Sequence, residues 1–286
     1  MAPSEPVIEP TFTAADFPDA EALVRAAGWN QVTADWEIFR KLGTVFVARD
    51  NGRVIATAAT LPYGHFAWIS MVLVLPEHRR RSLGTRLLKR CVAALDEMGC
   101  VPVLDATPAG RPIYQAMGFQ ETWGFQRWVS AKAPPLAVPG DGQTTIRPIF
   151  DADWEALCTH DAAAFGADRR ALLRHMRGRL PKAELIAERG GRIAGFMLGR
   201  NGRSASQIGP LVAEDDAAAR MLLAHALSAV EGPVYLDLAD SKAGVCAWLA
   251  QSGFTSQRPL TRMVLQQASG FDDPVRTFAV IGPEFG

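Results

Sequence analysis

The chain has 286 residues, 48% of them hydrophobic, with 30 basic and 30 acidic side chains that cancel to a formal charge of zero. That length favours two domains over one, and the balance removes any global argument for nucleic acid or an anionic membrane surface as a partner. No apolar run approaches the roughly 18 residues that a membrane helix needs. The opening MAPSEPVIEP has no basic segment followed by an apolar core, so the expectation is a cytoplasmic protein without a secretory signal. Its four cysteines, Cys91, Cys100, Cys158 and Cys246, are scattered and form neither a CxxC pair nor a zinc spacing. They read as reduced core thiols, with no metal expected.

In chain order, residues 1–10 are a proline-rich lead-in. A helical pattern runs over 12–27, with Asp16 as N-cap and Gly28 as stop. Thr33 with Glu37 nearby starts another helix. Residues 44–48 and 54–60 are rich in β-formers and flank Asp50-Asn51-Gly52-Arg53, a strong hairpin signal. After a turn at Pro62-Tyr63-Gly64-His65, residues 66–75 form an apolar strand. Pro76-Glu77 turns the chain, and Arg79, Arg80, Arg81, Ser82, Leu83, Gly84 and Thr85 follow. Leu83, Leu87, Cys91 and Leu95 then recur every four residues, which is helical spacing, and Gly99 ends that helix. A strand over 101–106, a short helix over 110–117 stopped by Gly118, and a closing hairpin strand or strands over 119–129 complete the first half.

A basic, small-residue loop between a strand and a helix aims backbone N–H groups at one point beside the positive end of the helix dipole, which suits a phosphate or pyrophosphate. Arginines add charge and forked donors. This loop resembles the acyl-CoA loop of the GNAT superfamily of acetyltransferases, whose pattern is Arg or Gln, two residues, Gly, one residue, Gly or Ala. Arg79, Ser82 and Gly84 hold those three places. Ser82 departs from the usual Gly, which tolerates φ > 0 and close backbone approach more readily. The stretch LDATPAGRPIYQAMGF also resembles the family, which places a tyrosine near the CoA sulfur four residues before a Gly-Phe pair. Tyr114 holds that place before Gly118-Phe119, and Thr107 stands where the family often has Asn.

Residues 132–143 are dense in Pro and Gly and read as a linker. The second half then repeats the first. Val47-Ala48-Arg49-Asp50-Asn51-Gly52-Arg53 is answered by Ile186-Ala187-Glu188-Arg189-Gly190-Gly191-Arg192, and Val103-Leu104-Asp105 by Tyr235-Leu236-Asp237. Gly118-Phe119 with Arg127 is answered by Gly253-Phe254 with Arg262 at the same offset. The expected class is α+β: two tandem GNAT-like domains, each a mixed, mostly antiparallel sheet flanked by helices. Their boundaries are 1–132 for the catalytic copy, 133–143 for the linker and 144–286 for a degenerate copy. In the degenerate copy the loop reads AEDDAAAR, where Glu214, Asp215 and Asp216 would repel a pyrophosphate, and Leu249 stands for Tyr114.

The resemblance implies an N-acetyltransferase that uses acetyl-CoA as cosubstrate, a small-molecule amine attacking the thioester directly in a ternary complex. Tyr114 would be the general acid that protonates the leaving thiolate. Val72, Leu73 and Val74 would hydrogen-bond the pantetheine arm as if it were another strand, and an N–H near Val72 would stabilise the oxyanion. Asp35, Glu37 and His65 are candidates for the base by position only; Asp105 is weaker, because Asp237 repeats it in the copy lacking the loop. Trp29, Trp36, His65 and Trp68 are candidates for the acceptor wall, although core packing explains any one of them as well. The rival reading is a non-catalytic protein that binds or senses acyl-CoA or another small ligand. A homodimer is left open.

Overall fold

The computed structural model describes residues 6–134, 136 and 140–286, so part of the expected linker lies outside the described residues. Two compact units result, Met1–Leu104 and Asp105–Gly286.

The first unit is a sheet of order β1-β2-β3-β4-β5, built from Ile8–Glu9, Thr44–Asp50, Arg53–Pro62, Phe66–Val74 and Val101–Ala106. β5 runs two residues past the unit boundary. Its neighbours pair antiparallel except β4 and β5, which are parallel. The β2–β3 turn is the expected hairpin: Asn51 and Gly52 both take left-handed φ, 49° and 82°. Helices α1 (Phe17–Ala27), α2 (Thr33–Leu42) and α3 (Leu83–Glu97) pack on the sheet. α1 starts after Asp16, whose carboxylate accepts the Thr13 N–H at 2.8 Å, and ends at Gly28 with φ 66°. The four-residue stripe of α3 is its buried face: Leu83, Leu87, Cys91 and Leu95 are at most 2% exposed.

The second unit contains α4 (Arg111–Ala116), β6 (Phe119–Ser130), β7 (Thr144–Pro148), α5 (Trp154–Phe165), α6 (Arg170–Met176), β8 (Leu185–Arg189), β9 (Arg192–Arg200), β10 (Ser206–Ala213), α7 (Asp216–Ala229), β11 (Val234–Ala239), α8 (Ala243–Gln251), β12 (Thr255–Leu265) and β13 (Thr277–Ala279). β7, β8, β9 and β10 form an antiparallel ladder in chain order, and β10 pairs in parallel with β11. The repeat hairpin closes through Gly190 and Gly191, both left-handed.

One expectation is corrected. The closing hairpin of the first half is instead one 12-residue strand, β6, and both of its neighbours come from the second half: β11 on one side and β12 on the other. Alternation along a strand reports its faces, not its partner. Buried charge spans the exchange. Arg127 on β6 holds Asp237 on β11 through two hydrogen bonds of 2.8 and 2.6 Å, with both side chains at most 4% exposed. Arg262 on β12 holds Asp105 the same way, at 2.9 and 3.0 Å. The two Arg–Asp matches seen as repeats in the sequence are therefore reciprocal pairs between the copies. Asp237→Ala strands the Arg127 charge in the core and should destabilise the protein by about 3–5 kcal/mol. Chemical denaturation checks this; a loss under about 1 kcal/mol would mean the pair is dispensable.

Candidate active site

β4 supplies the frame of the site. Its ladder with β5 covers only Phe66–Trp68 against Val101–Val103. On the other side it pairs with β3 through a bulge: Ser70 faces Ala59 and Leu73 faces Thr57, so Met71 and Val72 share one position. Met71 takes φ 52°, and its carbonyl is held by the Thr57 hydroxyl at 2.8 Å. A bulge twists and re-aims a strand. Here it sits just past the point where β4 leaves β5, so Val72, Leu73 and Val74 run on beyond the end of that ladder. Ser70, one residue earlier, has a buried hydroxyl with no partner among the described residues. An orphaned buried hydroxyl costs about 1–3 kcal/mol unless something meets it. Sequence reading passed over Ser70; the available signal was a lone hydroxyl in the apolar run FAWISMVLV.

The arginine loop follows. Arg79, Arg80 and Arg81 are exposed, and Arg80 and Ser82 both take left-handed φ, 60° and 55°. Arg79 Nε donates to the Val74 carbonyl at 3.1 Å, tying the loop to the strand end, and Arg81 lies 3.3 Å from His78 Nδ1. Ser82 is the N-cap of α3, yet its side chain makes no capping bond, and no acid stands in the first turn. The first intrahelical bond runs from Arg86 N–H to Ser82 C=O at 2.9 Å. The N–H groups of Leu83, Gly84 and Thr85 precede it and have no helical acceptor. An added Cβ at Gly84 would meet only Val74 and Val72, at 3.7 and 3.8 Å, so the protein's own packing does not demand glycine there. These features fit a phosphate-bearing ligand: uncapped donors, cationic side chains with no acid partner among the described residues, and space at Gly84. The left-handed Ser82 also accounts for the usual glycine at this place, since a Cβ is disfavoured there. Ser82→Gly should leave CoA affinity equal or tighter by calorimetry; a large loss would make the hydroxyl a ligand.

The second copy differs at each of these points. Its helix N-terminus is closed by its own residue: Asp215 accepts the Ala218 N–H at 2.9 Å and pairs with Arg189 at 2.7 Å. Its central strand β10 has a bulge at the matching place, where Gly209 and Pro210 stand opposite Leu198. Pro210 has no N–H to offer an oxyanion. Leu249, in place of the tyrosine, is fully buried.

Tyr114 lies on α4, half-buried, with its ring edge-on to Phe119 at 6.0 Å. A Cβ at Gly110 would come within 2.8 Å of that ring, so glycine there makes room for it. Burial pushes the phenol above its ordinary pKa, so the hydroxyl keeps its proton at neutral pH.

The remaining candidates fall in different places. Trp36 is fully buried, between Phe12 (5.4 Å) and Phe39 (6.2 Å), and Trp68, 2% exposed, packs on Tyr63 and Phe66. Both rings are buried in core packing. Trp29 is half-buried just after α1. His65 is exposed, ring against Phe66, at the far end of β4. Val72 lies seven positions further along the chain, about 20 Å at ordinary strand rise. Among the candidate bases, Asp35 is buried and accepts the Val32 N–H that starts α2. The Arg40 guanidinium holds Glu37 down at about 2, which makes it a poor proton acceptor. Burial pushes Asp105 up to about 6 against the pull of Arg262, which grips both of its oxygens. Arg262 is further shared with Asp272 and stacks on Trp123. Cys91 faces the core, and burial pushes its thiol far up, so it is no nucleophile at neutral pH.

A bulged strand that parts from its parallel neighbour and feeds an uncapped, arginine-flanked helix defines an acyltransferase of the GNAT type. The comparisons agree: residues 11–119 match the acetyltransferase (GNAT) family and residues 157–277 a GNAT acetyltransferase domain. The chain belongs to the GNAT acetyltransferases and carries two such domains in tandem. Over 204 residues it is 24% identical to the uncharacterised N-acetyltransferase YitH of Bacillus subtilis, 71% of each chain being covered. A candidate acetyltransferase from Pyrococcus horikoshii shares the fold at a TM-score of 0.80 and 19% identity, over 100% of this chain and 98% of the other. A tandem GNAT protein from the clavulanic acid biosynthesis pathway aligns at 0.63 and 16%, over 90% and 97%. Among the described residues no helix is long and apolar enough to cross a membrane.

Proposed function

We propose that the first copy is an acetyl-CoA-dependent N-acetyltransferase acting on a small-molecule amine, and that the second copy is catalytically silent. In this reading residues 1–132 are the catalytic copy, 133–143 the linker and 144–286 the degenerate copy, with β6 lent to the sheet of the second unit. One contrast carries the proposal. The α3 N-terminus is left without a carboxylate cap beside three arginines, whereas α7 is capped by Asp215.

The N–H groups at the start of α3, with Arg79, Arg80 and Arg81, would hold the CoA phosphates. Val72, Leu73 and Val74 would bind the pantetheine amides by strand addition. A thioester supplies an activated acyl group with a good leaving thiolate. The chain would contribute an N–H at the Met71–Val72 bulge aimed at the developing oxyanion, and the Tyr114 hydroxyl as proton donor. Ser70 joins the proposal as a buried hydroxyl without a described partner one residue before the bulge. Trp29 remains the acceptor-side candidate among the tryptophans, with an exposed face that Trp36 and Trp68 lack. Alkylamines carry a pKa of about 10, and Asp35, Glu37 and Asp105 are each engaged by other groups of the protein.

The experiment is acetyl-CoA consumption with a panel of amines. Turnover with any of them supports the enzyme; CoA binding without turnover across the panel supports an acyl-CoA sensor; absence of CoA binding overturns the enzyme and the acyl-CoA sensor alike.

A further inference from the structure

In the second copy the gap beside the central strand is filled by the chain itself. β10 pairs with β11 only over Ser206–Ile208 with Val234–Leu236 and then parts from it. Into the opening runs β13. Its residues Thr277 and Ala279 pair antiparallel with Val212 and Leu211 of β10, and Ala279 also with Leu238 of β11. The Val280 N–H continues the contact to the Asp237 carbonyl at 3.1 Å. At the bulge the approach is so close that a Cβ on Gly209 would stand 2.0 Å from the Val280 carbonyl oxygen. Phe278, Ala279, Val280, Ile281 and Phe285 are each at most 2% exposed. Past the strand, Glu284 forms an ion pair with Arg200, both almost wholly buried. The carbonyl oxygen of Gly286 accepts from Arg169 at 2.8 Å, and Arg169 is itself clamped by Asp161 at 2.8 and 2.9 Å.

We infer that residues 277–286 are an intramolecular peptide ligand of the second copy, seated in the groove whose counterpart beside β4 takes the pantetheine arm. This rests on the proposed reading of the first copy. The second copy is then a peptide-binding cleft rather than an emptied enzyme. Its ligand chemistry is legible: an extended apolar stretch, Thr-Phe-Ala-Val-Ile, adds main-chain hydrogen bonds to β10 and β11. A turn at Gly282-Pro283 then delivers one carboxylate to the buried Arg200. The arrangement explains how the copy kept its fold while losing its loop, its bulge N–H and its tyrosine. A groove that lost its cosubstrate would expose two strand edges, and the peptide covers both.

The test introduces a protease site after Val275, which is 70% exposed, and nicks the folded full chain. The released segment should co-elute with the body on gel filtration. Incubation with excess fluorescent peptide TFAVIGPEFG should exchange it, and the Glu284→Gln version of that peptide should bind at least tenfold more weakly. Loss of the segment on nicking with no change in Tm overturns the inference, as does equal binding of the two peptides. Should the nicked protein precipitate, amide exchange in the uncut chain decides. Val280 protected as strongly as β10, and losing that protection in Glu284→Gln, supports the inference; exchange as fast as the loop at 270–276 overturns it. Neither readout involves CoA, so a failure here is distinct from a failure of the acetyl-CoA reading, which calorimetry on the intact chain tests separately.

Discussion

Replacing Arg79 and Arg81 together by alanine should weaken CoA binding at least tenfold. Among the described residues neither side chain is in an ion pair, and the first turn of α3 contains no acid. No acid among the described residues neutralises them, so their charge is available to an incoming phosphate. Each charge-assisted hydrogen bond lost costs roughly 1.5–3 kcal/mol, and a factor of ten corresponds to about 1.4 kcal/mol. Loss of a single such bond therefore reaches the threshold. The effect should shrink as salt is raised, because these groups are exposed and screened. Folding should be nearly unaffected, since both side chains are exposed and their ties among the described residues are single hydrogen bonds, Arg79 to Val74 and Arg81 to His78. Calorimetry with CoA at two salt concentrations makes the measurement. Unchanged affinity at low salt would remove the loop from the site.

The elements of this fold were readable where a local rule decides them. Asn51-Gly52 and Gly190-Gly191 adopt the left-handed pairs that a tight hairpin needs. The spacing of Leu83, Leu87, Cys91 and Leu95 names the buried face of α3. What escaped was set by tertiary partners. No periodicity in 119–130 tells that β6 lies between β11 and β12, although the matched Arg127 and Arg262, Asp105 and Asp237 carried the clue as an unexplained repeat. In the fold each of those arginines meets the aspartate of the other copy. A fragment of residues 1–132 would strip β6 of both its neighbours, so it should not behave as an autonomous CoA-binding domain, and tests of the site belong on the full chain. The bulge at Met71 was equally hidden. β-branched and apolar residues line β4 on both sides of it, and only the register against Thr57 and Ala59 reveals it. The segment 277–286 has no local signal of its burial, because a buried apolar strand and an exposed one share the same letters until their neighbours are known.

Tyr114→Phe should lower kcat by about 10²-fold while leaving CoA affinity unchanged. The substitution removes a hydroxyl and keeps the ring, so the contact with Phe119 and the fit over Gly110 persist. The direction of its pKa matters to the argument. Burial raises it above the ordinary tyrosine value, which keeps the group neutral and a proton donor throughout the physiological range. A phenol depressed toward neutrality would instead be a base. Wild-type kcat should therefore show no loss of activity from tyrosine ionisation below pH 10, and the variant's defect should be constant from pH 6 to pH 9. A defect that disappears with an acceptor-independent readout, such as slow hydrolysis of acetyl-CoA, would place the tyrosine at the acceptor rather than at the leaving group. If kcat is untouched in the variant, water or another residue protonates the thiolate, and the assignment of Tyr114 fails while the loop assignment stands on its own measurement.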